Sequence, residues 1–217
     1  MKRFFTQLEQ YRPQEGYLDN QIRQVKKRGL TRSKYKLDQF KKHGMLINSL
    51  LNSQVKSILS VGSRDDAEVL SFIEQGFDCT GIDIEDQKHI KKIDAHQLDQ
   101  HFDHNSFDLV YANNSLEHMQ DLSLVLKNIK KVAKLGLLCQ LPCHTDDKTF
   151  GANHCSYVEL TRHKDNWKRT LSELTGTDLL EDFKPLENYQ VIYYSYDDVN
   201  DTDQNTDAHI DILFKFN

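Results

Sequence analysis

From Val55 onward the apolar positions fall into short runs that alternate between two periods. Val55-Lys56-Ser57-Ile58-Leu59-Ser60-Val61-Gly62 is a β-rich run stopping at glycine, as a buried first strand would. Asp65 and Asp66 then open a helical pattern through Val69, Leu70 and Ile73, which Gly76 ends. Phe77–Ile84 reads as a second strand finishing on an acid, His89–Asp94 as a third, and Phe107–Ala112 as a fourth. Asp121 caps a helix whose apolar positions Leu122, Val125, Leu126, Ile129 and Val132 keep a 3.6-residue spacing. Gly136 is expected to end that helix, and Leu137–Leu141 forms a fifth strand stopped by Pro142. Ser156–Leu174 predicts another long helix, and Tyr189–Tyr196 and His209–Phe216 predict two closing strands around an acidic turn.

Residues 1–52 carry no strand-like alternation and are expected to be helical, with Phe40, Met45, Leu46, Leu50 and Leu51 giving the last helix an apolar stripe. Strand–helix alternation with short connections implies a parallel sheet with helices on both faces. The expected organisation is a helical N-terminal cap over 1–52 and one α/β domain over 53–217.

Composition narrows the setting. The apolar runs are strand-sized, far short of the roughly 20 residues of a membrane span, and charge interrupts the N-terminus before a signal-peptide core can form. Four cysteines in 217 residues make no disulfide scaffold and fit a reducing compartment, so a cytoplasmic protein is expected. The net charge of −5 disfavours a chain that coats nucleic acid with its whole surface. The charge is uneven, however. Nine basic residues and one acid lie between Arg23 and Lys42, whereas the last forty residues are rich in Asp.

In an open parallel sheet, ligands bind beyond the carboxyl ends of the strands. The strand ends nominate Gly62–Asp66, Asp83–Ile84, Asp94–His96 and Ala112–His118. Gly62 permits close backbone approach, and the helix start after it offers unpaired N–H groups. Asp83 follows 21 residues later, where an acid can accept hydrogen bonds from both hydroxyls of a ribose. A solvated strand-end Asp is the plain alternative.

The run Asn105-Ser106-Phe107-Asp108-Leu109-Val110-Tyr111-Ala112-Asn113-Asn114-Ser115-Leu116-Glu117-His118-Met119, with the preceding glycine turn, Asp83 and Asp94-Ala95, closely resembles the class I S-adenosylmethionine-dependent methyltransferases. The likeness is to their small-molecule, type 11-like branch, and it covers about residues 55–145 in the family's order. It implies a Rossmann-like, seven-stranded, mostly parallel sheet with an antiparallel edge pair. It also implies S-adenosyl-L-methionine as cofactor. Gly62, Ser63 and Arg64 would then pass beneath its methionine part, Asp83 would hold the ribose, and Ile84 would pack on the adenine. Asp94, Ala95 and His96 would meet the adenine edge, and Ala112 and Asn113 the methionine end. The chain departs from the family at its first motif, usually an acid followed by G-x-G-x-G. Here Ser60-Val61-Gly62-Ser63-Arg64 keeps only the first glycine, and Arg64 can meet the methionine carboxylate, pair with Glu68 or obstruct the pocket.

Methyl transfer needs an aligned nucleophile, and for a hydroxyl acceptor a base. His118 is the candidate base, with the alternative that it only shapes the pocket wall; His144 and His154 are weaker candidates. Cys143-His144 and His154-Cys155 lack paired ligand spacing, so no metal site is expected. Asp201–Asp207 lacks the Gly and Glu of a calcium loop. Dehydrogenase function is disfavoured by the missing G-x-G-x-x-G. Three readings follow. The preferred one is methyl transfer to a small molecule or saccharide, with oxygen as the expected acceptor atom. The others are an RNA methyltransferase holding its substrate through Arg23–Lys42, and a non-catalytic binding or scaffold protein with the methyltransferase fold.

Overall fold

The computed structural model describes residues 5–10, 19, 22–23, 34–145, 156–160, 181–197 and 208–217. In chain order the elements are strand β1 (Phe5–Gln10), helix α1 (Lys34–Leu50), β2 (Ser57–Val61), α2 (Asp66–Glu74), β3 (Asp78–Asp83) and β4 (Ile90–Lys92). They continue with α3 (Leu98–His101), β5 (Phe107–Asn113), α4 (Leu122–Val132), β6 (Ala133–Thr145), β7 (Ser156–Leu160), β8 (Tyr189–Asp197) and β9 (Ala208–Phe216). Five strands, β4-β3-β2-β5-β6, run parallel, and β9 pairs antiparallel with both β6 and β8. This seven-stranded core with its antiparallel edge is the expected Rossmann-like sheet.

Alternation along the strands assigns each face its own core. Ile58, Leu109, Tyr111, Leu138 and Leu213 point to one face, where Phe40 and Ile47 of α1 and Val69 and Phe72 of α2 cover them. Leu59, Val110, Ala112, Leu137, Cys139 and Phe214 point to the other, against Val125, Leu126 and Ile129 of α4 and Phe183. Tyr111, fully buried, has the Phe72 ring edge-on at 4.8 Å and Phe40 at 6.5 Å. In α4 the periodic apolar side chains are all buried while Lys127 and Lys131 are exposed. Burying each such Leu or Val contributes about 1.5–3 kcal/mol, which holds this amphipathic helix down. Asp121 caps it by accepting from Leu124 N at 2.9 Å, and Lys130 and Lys131 complement its C-terminal dipole.

Four expectations are corrected. Residues 1–52 are not helical throughout, because β1 pairs antiparallel with β7. Ser156 opens a strand, not a helix: Ser156-Tyr157-Val158-Glu159-Leu160 joins the open edge of β6, and tertiary pairing overrides local propensity. Residues 161–174 lie outside the described residues. Gly136 does not end α4, which stops at Val132; it sits inside β6, where a Cβ would collide with the Phe214 carbonyl oxygen of β9. Pro142 does not stop β6, which runs on to Thr145. On one edge of β6, pairing to β5 ends at Gln140 and pairing to β7 begins at Cys143, so Pro142 falls where that ladder needs no N–H.

Cys143 is partnered by both Ala208 and Val158, so β7 and β9 flank β6 on opposite edges. β7 therefore continues on the β5 side, past the end of β5, and lies against the 3-10 turn Leu116–His118. The β1–β7 pair thus adds chain beyond the carboxyl edge of the parallel strands. No helix among the described residues is long and apolar enough to cross a membrane.

Candidate active site at the carboxyl edge of the sheet

The turn after β2 is drawn onto the end of β3. Gly62 N and Ser63 N both donate to Ile82 O, at 2.9 and 3.1 Å, and Arg64 N donates to Asp83 Oδ2 at 2.9 Å. These three N–H groups belong to the turn before α2; at the helix start itself Ala67 N donates to Asp65 Oδ1 at 3.1 Å. Gly62 (φ +72°) and Arg64 (φ +55°) both adopt the left-handed conformation that this tight reversal requires. Ser115 reaches across from the end of β5, its Oγ donating to Val61 O at 2.8 Å, and it is the atom group in close approach to Gly62. Beneath the turn the Ser60 hydroxyl donates to the Glu68 carboxylate, both fully buried. The charge of Arg64 acts on Asp83.

Asp83 is buried, and Ile84 N also donates to its Oδ1, at 2.7 Å. Burial pushes its carboxyl above the ordinary range, against the lowering effect of the N–H groups of Arg64, Ile84 and Glu85 and the Arg64 charge. The next strand end is tied in by Ile93 N donating to Asp83 O at 2.9 Å.

His96 has both ring nitrogens engaged. Nε2 accepts from Asp121 N at 3.1 Å, so the proton lies on Nδ1, which meets Asp94 Oδ1 at 2.6 Å. That hydrogen bond holds the Asp94 carboxyl below its ordinary range despite partial burial. The His96 carbonyl accepts from Asn128 of α4 at 2.9 Å, so Asp94–His96 is fastened to the start and middle of α4. Ala95 is buried between them.

Ala112 and Asn113 end β5, both buried. Asn113 is only 7% exposed, and its Oδ1 has no hydrogen-bond partner among the described residues. A buried carbonyl oxygen left open at a strand end is what a ligand donor would satisfy. In the turn that follows, Glu117 is buried and His118 half-exposed, with His118 Nε2 3.8 Å from Glu117 Oε1. The structure thus brings Gly62–Arg64, Asp83–Ile84, Asp94–His96, Ala112–Asn113 and His118 to one edge. His154 and the Asp201–Asp207 loop lie outside the described residues, as does Cys155. Among the described residues no three His, Cys, Asp or Glu side chains are grouped to hold a metal ion.

The sequence placed Ser115 and Glu117 within the nominated Ala112–His118 strand end but gave them no role, and it passed over a polar network beside Asn113 in which Asn114 Nδ2 donates to Gln140 Oε1 at 3.1 Å and Gln140 Nε2 to Asp211 Oδ1 at 2.7 Å. His43 Nε2 stands 3.2 Å from Asp211 Oδ2, and His43 Nδ1 is 2.7 Å from the Tyr111 hydroxyl. Their one signal is a lone polar residue inside an apolar strand: Gln140 in Leu-Leu-Cys-Gln-Leu and Asp211 in Ile-Asp-Ile-Leu.

A sheet wound this way, with its polar groups gathered beyond the parallel strand ends, defines a Rossmann-like methyltransferase fold. A family profile described as "Methyltransferase domain" matches residues 35–179, and the chain belongs to that family of S-adenosylmethionine-dependent methyltransferases. Two similar solved structures are bound to S-adenosylhomocysteine. The 1,6-didemethyltoxoflavin-N1-methyltransferase of Burkholderia thailandensis is 12% identical, with TM-score 0.58 over 93% of this chain and 84% of that one. The N-methyltransferase NodS of Bradyrhizobium japonicum is 13% identical, with TM-score 0.58 over 93% and 98%. The [4+2]-cyclase SpnF, at 12% identity and TM-score 0.51 over 81% of each chain, shares the fold under a different named activity. At such identities the likeness is one of fold. No curated protein sequence matches the chain.

Proposed function

We propose that this protein transfers a methyl group from S-adenosyl-L-methionine to a hydroxyl of a small molecule or saccharide. The observation that carries the reading is the placement of β7 beside the Leu116–His118 turn, which lays a strand pair along the edge where His118 stands. Chain added there favours a compact acceptor over an extended polymer. Of the basic cluster, Arg23, Lys41 and Lys42 have described side chains, all exposed, and the buried side of α1 (Phe40, His43, Ile47) is turned to the sheet.

The residues present fit the cofactor. The Asp83 carboxylate, fixed by two backbone N–H groups, keeps acceptor lone pairs for ribose hydroxyls. Ile84 would pack against the adenine, Asp94, Ala95 and His96 would flank its edge, and Gly62–Arg64 would lie under the methionine part. The open Asn113 Oδ1, beside Ala112, would accept from that end. When bound, the cofactor supplies an already activated methyl group, so the protein's work is alignment, exclusion of water and proton removal. His118 would take the proton that the acceptor hydroxyl loses, with Glu117 beside it to stabilise the imidazolium.

Titration calorimetry with S-adenosylmethionine and S-adenosylhomocysteine, with NAD as control, tests the cofactor. Micromolar binding of both and none of NAD is expected. Labelled methyl transfer to a panel of sugars and small alcohols tests the acceptor. His118→Ala should leave S-adenosylhomocysteine affinity nearly unchanged and slow transfer by about 10²–10⁴-fold; equal activity would reduce His118 to a wall residue. Calorimetry showing no binding would favour a non-catalytic protein.

A further inference from the structure

The network behind Asn113 runs through the core as a chain of fixed polarity. An ionised carboxylate only accepts hydrogen bonds. Asp211, 5% exposed, accepts at 2.7 Å from Gln140, so Gln140 must turn its NH2 toward Asp211. Its carbonyl oxygen then faces Asn114 at 3.1 Å, and Asn114 must in turn present its NH2. What remains at the far end is Asn114 Oδ1, buried with no partner among the described residues. Asn113 pairs with Gln140 across β5 and β6, and its own Oδ1 is also open. The carboxylate thus fixes Asn114 Oδ1 as a buried acceptor at the end of β5, next to the open Oδ1 of Asn113.

Two further features hold this state. Burial alone would raise the Asp211 carboxyl, but His43, Gln140 and Ser195 outweigh it and hold the group below its ordinary range, so it stays ionised. Ser195 Oγ donates to Oδ2 at 3.2 Å, beside His43 Nε2. Two carboxylates also lie near this strand end, Asp211 and Glu117, whose charges add to burial in pushing up the Cys139 thiol. Acceptor oxygens held in place by a carboxylate suit a cation that donates hydrogen bonds.

We propose that Asp211 is a positioning residue for the α-ammonium of the methyl donor: acting through Gln140 and Asn114, it fixes the strand end as acceptor-only. This rests on the cofactor reading above. The test compares binding of S-adenosylhomocysteine with that of 5′-S-(3-carboxypropyl)-5′-thioadenosine, which lacks only the α-amino group, by titration calorimetry. The unaltered protein should prefer the amine-bearing ligand by about tenfold or more, the scale of a hydrogen bond to a charged group. In Asp211→Asn that preference should shrink to about threefold or less, with affinity for the desamino ligand within about twofold of the original. Gln140→Met, which cuts the relay while keeping Asp211 with His43 and Ser195, should do the same and serves if Asp211→Asn does not fold. A preference retained in both variants, or equal loss of affinity for both ligands, would overturn the positioning role. Equal binding of both ligands by the unaltered protein would overturn it while leaving the cofactor reading intact. No binding of either would remove both.

Discussion

A methyl group placed on Gly62 probes how tightly the two central strand ends are locked together. Gly62→Ala meets two obstacles. At φ +72° an L-residue loses about 1–2 kcal/mol relative to glycine. The new Cβ would also sit closer to Ser115 Cβ than carbons tolerate, and overpacking of that kind costs about 1–3 kcal/mol. Together the substitution should destabilise the fold by about 2–5 kcal/mol. Only the second part depends on Ser115. Ser115→Gly, which gives up the hydrogen bond to Val61 O, should itself cost about 1–2 kcal/mol. The double variant should recover the overpacking part, so the cycle should show a favourable coupling of about 1–3 kcal/mol. Urea unfolding of the four proteins, followed by far-UV circular dichroism, measures it. Additivity within about 0.5 kcal/mol would refute the packing of Ser115 on Gly62.

Asp83→Ala should weaken S-adenosylhomocysteine binding by about 1.5–3 kcal/mol, read by calorimetry; unchanged affinity would remove Asp83 from the site. Because burial raises its folded carboxyl pKa, that affinity should be full at neutral pH and begin to fall, as pH is lowered, while still above the usual Asp value of 3.8. Asp211 has the opposite sign: its depressed folded pKa contributes stability that is full above the unfolded value of about 3.9 and is lost as pH falls through the folded one, so Asp211→Asn should flatten the acid limb of a stability–pH curve. Gly136→Ala should destabilise by about 1–3 kcal/mol in urea unfolding, because its Cβ meets the backbone of β9 rather than a movable side chain. Tyr111→Phe should cost about 1–3 kcal/mol by the same assay, leaving His43 Nδ1 unpaired in the core.

The parallel core was legible because its strands are buried on both faces and the first two stop at Gly62 and Asp83, where local residue chemistry and tertiary role agree. The β1–β7 pair was not, since Phe5–Gln10 carries no alternation and Ser156–Leu160 is too short to separate strand from helix by period. β7 forms on the open edge of β6, and β1 forms in turn on β7. In the site, the strand-end residues could be named from position alone. The partners that hold them could not: His43 lies on the first helix and Asp211 on the last strand, and only folding joins them. The His96 ring, readable as an adenine contact, proves tied to Asp94 and to the cap of α4, a link across 25 residues that no local pattern announces.

Biosynthesis puts the β1–β7 pairing under a time constraint. Phe5 leaves the ribosome roughly 150 residues ahead of its partner Leu160, which at about 5–20 residues per second is a wait of about 8–30 s. The edge that receives β7 belongs to β6, which is itself made only shortly before β7. Until Leu160 has been made, the opening segment must therefore stay unpaired beside a growing, unfinished sheet, and the strand pair next to the Leu116–His118 turn is completed only then.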